Sequence, residues 1–481
     1  MSDLERRAMK GVFWTVFQAV AGRALSFIVF VVLARLLVPA DFGLVAMAGV
    51  FIAVLELLVQ QGFSVAITQR EVLEPAHEST AFWSNMILSV VLAGAFWIAA
   101  EPIAQLYQTE DLASVIRWLC PVLPLRALAT VHIGLLQRHF RFRALGLLSV
   151  LGAFMGGVAG ITAAFSGWGV YALVAQQVVA GFVYVVSIWA VTRWVPEWTF
   201  SFSHLKDLIG FSAHIVGAGI LDVLNRRSDD LIIGLFLGDV ALGLYAVAYR
   251  ALLVLNQVVS KPGTLVAFAA FSRFQDDRER VRMGFYESTR AASVISMPVF
   301  VGIAWLAPLG LPLVFGDKYV ESGAVLRILA LAGLGQAVFH FNSSVYLSVG
   351  RPDIRLKLLA INAVVHVAAL IVAVRFGIEA VALAFVLRVY LLLPLDLLAL
   401  RRLIDLSPKR YFANFVPAFF GSLALSLAVA GVLALPLAPL PKLTLGVVAG
   451  ALAYGLTLFG VAPELVRGIW SRVKLAVQAA D

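Results

Sequence analysis

Apolar segments of about twenty residues or more, separated by short polar stretches, follow one another from Val12 to Val461. A helix of this length crosses the roughly 30 Å hydrocarbon core of a bilayer. The pattern therefore predicts an all-α polytopic membrane protein with about fourteen transmembrane helices. The predicted spans are residues 11–37, 42–66, 79–100, 113–136, 144–165, 170–191, 208–236, 241–270, 287–313, 322–348, 358–375, 377–400, 413–435 and 443–463.

An internal repeat organises these predicted helices into two halves. The segment LARLLVPADFGLVAMA, residues 33–48, aligns without gaps with IGLFLGDVALGLYAVA, residues 233–248. In each copy the segment ends one long helix and begins the next. The aligned identities are Leu37, Gly43, Leu44, Ala46 and Ala48 with Leu237, Gly243, Leu244, Ala246 and Ala248. A second match places GWGVYAL, residues 167–173, over GIEAVAL, residues 377–383.

Each repeat contains an even number of predicted helices, so both copies run in the same direction across the membrane. Copies of this kind are related by a pseudo-two-fold axis along the membrane normal. We therefore predict two six-helix lobes, residues 1–200 and 201–405, followed by residues 406–481 with helices thirteen and fourteen and a cytoplasmic tail. The last two spans contain no charged residue, which indicates a lipid-facing addition.

Charge sets the orientation of the chain in the membrane. Only 14% of the 481 residues are charged, whereas a soluble globular chain carries about a quarter. Loops predicted to face the cytoplasm hold nearly all of the basic loop residues, and the outer loops hold only Lys318, Arg375 and Lys442. This bias predicts that both termini are cytoplasmic. It also accounts for the net charge of +9 through membrane lipids, without nucleic acid as a partner.

Several charged side chains nevertheless lie inside predicted spans. Each costs at least about 2.5–3.5 kcal/mol on insertion scales, so such groups usually face a wet cavity or one another. They are Arg23, Glu56, Arg126, Asp222, Arg226, Arg227, Asp229, Asp230, Arg250 and Lys261. Cations outnumber anions in this set, which predicts a cavity of net positive charge. Arginine binds phosphates with paired hydrogen bonds and keeps its proton when buried, so a pyrophosphate group is a suitable ligand.

The run LDVLNRRSDDLIIGLF, residues 221–236, is the densest part of this set. Asp222, Arg226, and Asp229 or Asp230 are spaced three or four apart, so they share one helix face and Arg226 can pair with an acid on either side. Arg227 points about 100° away and needs a separate partner or a ligand. The run is therefore either a structural ladder of ion pairs or part of a transport site.

If the charges form a transport site, the basic and acidic groups have different roles. The candidates for pyrophosphate binding are Arg23, Arg226, Arg227, Arg126 and Arg250. The candidates for coupling transport to an ion are Asp222, Asp229, Asp230 and Glu56. Protonation of a carboxylate within a span is the kind of change that such coupling requires.

Signatures of enzymes and of cofactor sites are missing from the sequence. No Gly-Lys dipeptide is present, so no phosphate-binding loop of the ATPase type can form. The HExxH motif of zinc proteases and the GxSxG motif of serine hydrolases are also absent. The single cysteine, Cys120, allows neither an internal disulfide nor a thiolate metal site. We therefore predict no enzymatic activity, no cofactor and no metal site.

Three segments make the chain resemble a known family. They are LARLLVPADFGLVAMAGVFIAVLELLVQQGFSVAITQR at residues 33–70, GWGVYALVAQ at 167–176 and LGLYAVAYR at 242–250. With these segments the chain resembles Wzx-type polysaccharide exporters of the multidrug/oligosaccharidyl-lipid/polysaccharide (MOP) superfamily, in the branch of lipopolysaccharide biosynthesis and colanic-acid export. The resemblance runs over nearly the whole chain.

The resemblance implies a MATE-like fold and a flippase of the bacterial inner membrane. Such a protein moves undecaprenyl-pyrophosphate-linked oligosaccharide repeat units from the cytoplasmic to the periplasmic leaflet by alternating access, for O-antigen or exopolysaccharide biosynthesis. Related lipid flippases hold the pyrophosphate with arginines on the first helices of each lobe, and Arg23 and Arg226 match these positions. The resemblance also implies that spans thirteen and fourteen form a groove for the lipid tail.

Other functions predict other features. An ion-coupled drug or cation antiporter of the same superfamily would have twelve helices and an acidic cavity. A membrane-embedded glycan polymerase or ligase would have a long outer loop, whereas the predicted outer loops reach at most about a dozen residues. A non-transporting scaffold would leave the charges within the spans without a role. For a flippase, the expected partners are the lipid-linked oligosaccharide, membrane lipids, and the polysaccharide polymerase and glycosyltransferases of the same pathway.

Overall fold

The computed structural model describes residues 22–69, 73–259, 267–268, 270–275 and 277–464. Within these ranges the chain is almost entirely helical and contains no β-strand. It forms two compact units that divide between Ala246 and Val247. The start of the first predicted span, Lys261 and the predicted cytoplasmic tail lie outside the described residues. The predicted lobe boundaries at 200/201 and 405/406 remain predictions.

The first unit contains seven helices and the larger part of an eighth among the described residues. These are α1 (22–36), α2 (Pro39–Gln69), α3 (Pro75–Tyr107), α4 (Asp111–Leu119), α5 (Val122–Arg138), α6 (Phe142–Phe165), α7 (Tyr171–Thr192) and α8 (Phe202–Val259). The sequence predicts one helix over 113–136, whereas the structure divides it into α4 and α5 at Cys120 and Pro121. Pro121 has no N–H to donate, which favours a break there.

The second unit begins within α8. Its further helices are α9 (Arg278–Phe315), α10 (Val320–Ser348), α11 (Pro352–Ala373), α12 (Ile378–Leu391), α13 (Leu393–Ile404), α14 (Pro408–Ala413), α15 (Val416–Ala434) and α16 (Pro439–Val461). Short 3₁₀ turns, Asp317–Tyr319 and Val374–Phe376, lie before α10 and after α11. The described residues of this unit are thus helical, as the sequence predicts.

Twelve helical segments of the described residues are long and apolar enough to cross a membrane. One of them, Gly219–Val259, contains a break at Gly238, and residues 22–36 form a further helix that is not among the twelve. The chain is therefore a multi-pass, all-α membrane protein, as its sequence predicts. The count of about fourteen transmembrane helices remains a prediction.

The two repeats interrupt their helices at equivalent positions. Gly238 joins the two parts of α8 with φ 82° and ψ −174°. A positive φ is costly for residues with a Cβ, so glycine is the suitable residue at this break. In the first repeat, Leu37 and Val38 separate α1 from α2, and the sequence alignment places Val38 opposite Gly238. The structure confirms that each copy of the aligned segment ends one helix and begins the next.

Apolar contacts hold the helices of each unit together. In the first unit, Ile67, Phe82 and Val131 pack α2, α3 and α5 against one another. Leu148 of α6 and Ile188 of α7 belong to a second cluster that includes residues of α5. In a water-soluble protein, burial of such a side chain contributes about 1.5–3 kcal/mol to the free energy of folding. Between helices in lipid, close van der Waals packing provides the stabilisation instead.

In the second unit, α15 and α16 pack on α9. Val294, Leu425 and Leu458 share one buried cluster. The hydroxyl of Tyr454 donates a hydrogen bond to the carbonyl oxygen of Val294 at 2.7 Å. The opposite faces of α15 and α16 expose large apolar side chains such as Leu427 and Leu456. This arrangement agrees with a lipid-facing pair of helices attached to the second unit.

Candidate functional site

The charged run of α8 lies in one uninterrupted helical stretch that ends at Gly238. Residues 221–233 contain neither proline nor glycine, so no residue in the run breaks the backbone hydrogen bonds. Side chains three and four residues apart therefore lie one above the other along the helix. This local geometry decides which of the acids and arginines can meet.

Arg226 forms the ion pair that its spacing predicts. Its Nε lies 2.9 Å from Oδ2 of Asp222, four residues earlier. The Arg226 side chain is 70% exposed and that of Asp222 is 46% exposed. A guanidinium has five N–H donors, and the 2.9 Å contact with Asp222 is made through Nε. Arg226 therefore keeps accessible donors while it is paired.

Arg227 is also paired, and its partner is separate from that of Arg226. Its Nη1 lies 2.9 Å from Oδ2 of Asp230. The side chain of Asp230 is 8% exposed, whereas that of Arg227 is 45% exposed. A buried carboxylate needs a compensating charge, and the long arginine side chain supplies it from the adjacent turn. Asp230 is thus engaged by Arg227 and not by Arg226.

Asp229 has a partner that the sequence does not indicate. The hydroxyl of Tyr245 donates a 2.7 Å hydrogen bond to Oδ2 of Asp229, and both residues are buried. Tyr245 lies beyond the helix break, in the second aligned segment. The fold-back of the chain at Gly238 brings it to Asp229, and no periodicity within one helix predicts that contact.

Arg126 and Glu56 form a second group in the first unit. Nε of Arg126 on α5 lies 3.1 Å from Oε1 of Glu56 on α2. The side chains are 45% and 27% exposed. The sequence assigns these two residues to different roles, pyrophosphate binding and ion coupling, and the structure joins them in one ion pair. Each is therefore able to compensate the charge of the other.

The two remaining candidate arginines are Arg23 and Arg250. Arg23 on α1 is partly buried and forms no ion pair with an acid among the residues that the structure describes. Arg250 is exposed and lies in the part of α8 that belongs to the second unit. Within the first unit, the described ion pairs of Arg126, Arg226 and Arg227 do not include Arg23.

The charge balance of the run in α8 differs from the expected positive excess. Three aspartates, Asp222, Asp229 and Asp230, stand against Arg226 and Arg227. Arg126 and Glu56 balance each other. Neither of these two groups therefore carries a net positive charge. The side chain of Arg226 is 70% exposed and remains accessible to an anion.

The sequence matches the model of a protein family. The family is described as "Polysaccharide biosynthesis protein", and the match covers residues 32–324. Two similar relatives are the succinoglycan biosynthesis transport protein ExoT of Rhizobium meliloti (strain 1021) and the lipopolysaccharide biosynthesis protein WzxC of Escherichia coli (strain K12). ExoT is 30% identical over 325 residues, which are 67% of this chain and 65% of ExoT. WzxC is 24% identical over 393 residues, 80% of this chain and 79% of WzxC.

The fold is similar to that of a solved transporter. The structure of the lipid II flippase MurJ in its inward closed conformation superposes with a TM-score of 0.79 and covers 94% of this chain and 99% of its own. Only 13% of the aligned residues are identical, so the likeness concerns the fold. It confirms the all-helical membrane fold that the apolar pattern predicts.

Proposed function

This chain belongs to the family of polysaccharide biosynthesis proteins, and we propose that it translocates undecaprenyl-pyrophosphate-linked oligosaccharides across a bacterial inner membrane. The names of ExoT and WzxC, which describe transport and lipopolysaccharide biosynthesis, support this proposal. The superposition on MurJ supports it through the fold. The proposed activity moves a lipid from the cytoplasmic to the periplasmic leaflet and includes no bond-making step.

The proposed orientation places both termini in the cytoplasm, because the basic loop residues predict it. With this orientation, the breaks at Leu37–Val38 and at Gly238 lie at the periplasmic end of their helices. The starts of α2 and of the second part of α8 meet there, where a Cβ on Gly43 would lie within 1.8 Å of the backbone of Asp239.

Arg23 and Arg226 are the proposed pyrophosphate ligands. The observation that carries this assignment is the 70% exposure of the Arg226 side chain, which is held at one nitrogen by Asp222. An incoming phosphate can accept hydrogen bonds from the remaining N–H donors. When no substrate is bound, Asp222 compensates the charge of Arg226. Arg23 supplies a second cation on the equivalent helix of the first repeat. Arg126 and Arg250 are proposed to contribute to the same electrostatic attraction.

The buried acids are proposed to couple transport to protons. The ion pair between Arg227 and Asp230 holds the guanidinium away from substrate. Protonation of Asp230 would remove the negative charge and release Arg227 to bind a phosphate. Asp222 is proposed to act on Arg226 in the same way, and Glu56 on Arg126. Asp229, bound by Tyr245, would keep the local structure during this exchange.

The test is translocation by the purified chain in proteoliposomes that contain a short undecaprenyl-pyrophosphate-linked oligosaccharide. A membrane-impermeant glycosidase outside the vesicles digests the outer-leaflet sugars, so translocation appears as digestion of the protected pool. Arg226→Ala and Arg23→Ala should each lower the rate about 10–100-fold, because a charge-assisted hydrogen bond contributes about 1.5–3 kcal/mol. Arg226→Lys should recover part of the rate, since it keeps the charge and loses the planar fork.

A matched control is Arg117→Ala. Arg117 forms an exposed ion pair with Glu101 at 3.1 Å, comparable in geometry to the pair of Arg226, and it is not a candidate ligand. Its loss should leave translocation unchanged. Wild-type rates in both Arg23→Ala and Arg226→Ala would refute the proposed site. Export of a cationic drug against a proton gradient, without lipid translocation, would instead identify an antiporter, and sugar transfer by the purified chain would identify a polymerase or ligase.

A further inference from the structure

The connector between the two repeats, residues 193–201, lies along the start of α3. The indole Nε1 of Trp83 donates to the carbonyl oxygen of Glu197 at 2.8 Å, and the N–H of Glu197 donates to Oγ of Ser79 at 3.0 Å. The rings of Trp83 and Trp198 stack with their centroids 4.5 Å apart. Backbone and side chain contacts thus hold the connector against α3 at several points.

The end of the connector brings three side chains together that could bind a metal ion. The N–H of Ser201 donates to Oγ1 of Thr80 at 3.2 Å, and α8 begins at the next residue. His204, in the first turn of α8, places its Nε2 3.4 Å from Oε2 of Glu74. Its ring lies 4.0 Å from that of His77, centroid to centroid. One potential ligand atom from each of these three residues lies within 4.8 Å of the others.

The two histidines of this group are shielded from water, which favours a shared metal ion over separate hydration of each side chain. His77 is 3% exposed, and the side chain of His204 is 23% exposed. Nδ1 of His204 is buried and makes no hydrogen bond within the described residues. The N–H of Glu74 faces Nδ1 of His77 at 3.4 Å, which orients that ring, and the contact is long enough to yield to a stronger partner. The carboxylate of Glu74 supplies negative charge and remains open to water.

The ligand set selects the class of ion. Two imidazoles and one carboxylate are ligands that Zn²⁺ accepts, with water completing a tetrahedral shell. Mg²⁺ and Ca²⁺ prefer oxygen ligands throughout. The 3.4 Å between Oε2 of Glu74 and Nε2 of His204 is close to the spacing of two ligands that share one ion at about 2.0–2.1 Å. Side-chain rotations that bring the three ligand atoms closer together would therefore be enough for them to share one ion.

We propose that Glu74, His77 and His204 form a binding site for Zn²⁺ or a chemically similar divalent ion, and that the ion fastens the end of the connector to α3. The site is complete only when the first turn of α8 lies against the start of α3, because His204 comes from one element and Glu74 and His77 from the other. Metal binding is therefore coupled to the seating of the connector. Spacing along the sequence does not reveal this group, since Glu74 and His204 lie far apart in the chain.

The test uses the full-length protein, purified in detergent without a polyhistidine tag and treated with a chelator. Co²⁺, titrated as a probe, should give the absorption of a protein-bound ion at one equivalent per chain, and Zn²⁺ should displace it. His204→Ala and Glu74→Gln should weaken binding at least about tenfold, since loss of even an outer-shell partner costs about that much. Glu74→Gln keeps a side-chain oxygen that can accept from the first turn of α3, so this substitution should keep the fold.

The matched control is His139→Ala, an exposed histidine at the end of α5 that is not a member of the group. This variant should bind Co²⁺ like the wild type. Zn²⁺ should also protect residues 193–204 from proteolysis in the wild type and not in His204→Ala. Absence of bound ion in the wild type, or equal binding by the wild type, His204→Ala and Glu74→Gln, would refute the proposal and leave an ion pair between His204 and Glu74 as the account of the cluster.

Discussion

Gly43 of α2 and Gly243 of α8 lie against each other in a reciprocal contact. A Cβ on Gly43 would lie 1.8 Å from the carbonyl oxygen of Asp239, and a Cβ on Gly243 would lie 1.8 Å from the carbonyl oxygen of Pro39. Pro39 and Asp239 hold equivalent positions in the aligned repeats. Equivalent residues that contact each other in both directions are the mark of a two-fold axis. The repeat in the sequence is thus expressed as a local two-fold contact.

Alanine at either glycine should disrupt this contact. Neither approach can be relieved by rotating a side chain, because the opposing atoms are backbone, so the two helices must separate. We expect Gly43→Ala or Gly243→Ala to lower the free energy of unfolding by about 1–3 kcal/mol or more, the usual cost of overpacking. Thermal unfolding in detergent, followed by intrinsic fluorescence, measures the change.

Gly49 provides the control for these substitutions. It lies on the same helix as Gly43, and a Cβ there would meet no atom within 4 Å. Gly49→Ala should therefore raise stability by about 0.5–1 kcal/mol, the ordinary gain of replacing a helical glycine. If Gly43→Ala is as stable as Gly49→Ala, the close approach of α2 and α8 is not part of the native state.

The sequence predicts more of the fold than of the site, for a physical reason. The break at Gly238 lies in the repeated segment that is predicted to end one helix and begin the next, and apolar length is a strong signal within a bilayer. The pair of Arg226 with Asp222 is also local, since four residues form about one helical turn.

Contacts that cross a helix break are different. Tyr245 reaches Asp229 only because the chain folds back at Gly238, and His204 reaches Glu74 only through the path of the connector. The choice of Arg227, and not Arg226, as the partner of Asp230 depends on burial, which spacing does not report. These contacts are decided by tertiary packing, and so the single sequence leaves them open.

The two adjacent arginines of α8 should affect stability and transport in opposite order. Arg227→Ala leaves the buried carboxylate of Asp230 without its partner, so we expect a loss of about 1–3 kcal/mol in the free energy of unfolding. Arg226→Ala breaks a pair whose members are both exposed, and such pairs contribute about 0–1 kcal/mol. Transport should fall more in Arg226→Ala. Denaturation of both variants should show the larger loss of stability in Arg227→Ala. Lipid translocation should show the larger loss of transport in Arg226→Ala.

Asp230→Asn distinguishes the contribution of the Asp230 charge to stability from that of its packing. The amide keeps the shape of Asp230 and removes the buried charge, so Arg227→Ala/Asp230→Asn should recover most of the stability lost in Arg227→Ala. Under the proposed coupling, Asp230→Asn alone should translocate lipid at a rate that responds less to a proton gradient than the wild-type rate, because Asp222 and Glu56 remain. A double variant no more stable than Arg227→Ala would contradict the compensating role of the arginine.

The hydroxyl of Tyr245 should stabilise the first unit through Asp229. Tyr245→Phe removes the donor of a 2.7 Å hydrogen bond to a buried carboxylate and leaves the ring in place. We expect a loss of about 1–3 kcal/mol in the free energy of unfolding, because a buried hydrogen bond to a charged acceptor is removed. Tyr171→Phe, which removes a partly buried bond to Ser114, is the control and should cost about 0.5–1.5 kcal/mol. Equal losses in the two variants would show that the charge of Asp229 does not depend on this hydroxyl.

The attachment of the last two helices should depend on Tyr454. Its hydroxyl donates to the carbonyl oxygen of Val294 at 2.7 Å, and this buried bond joins α16 to α9. Tyr454→Phe should lower stability by about 0.5–1.5 kcal/mol and raise hydrogen exchange in residues 416–461 more than in the first unit. Thr444→Ala is the control, because Thr444 bonds only within its own helix, to Leu440 and Pro441. Unchanged exchange in Tyr454→Phe would mean that the apolar cluster around Val294 and Leu425 holds these helices without the hydrogen bond.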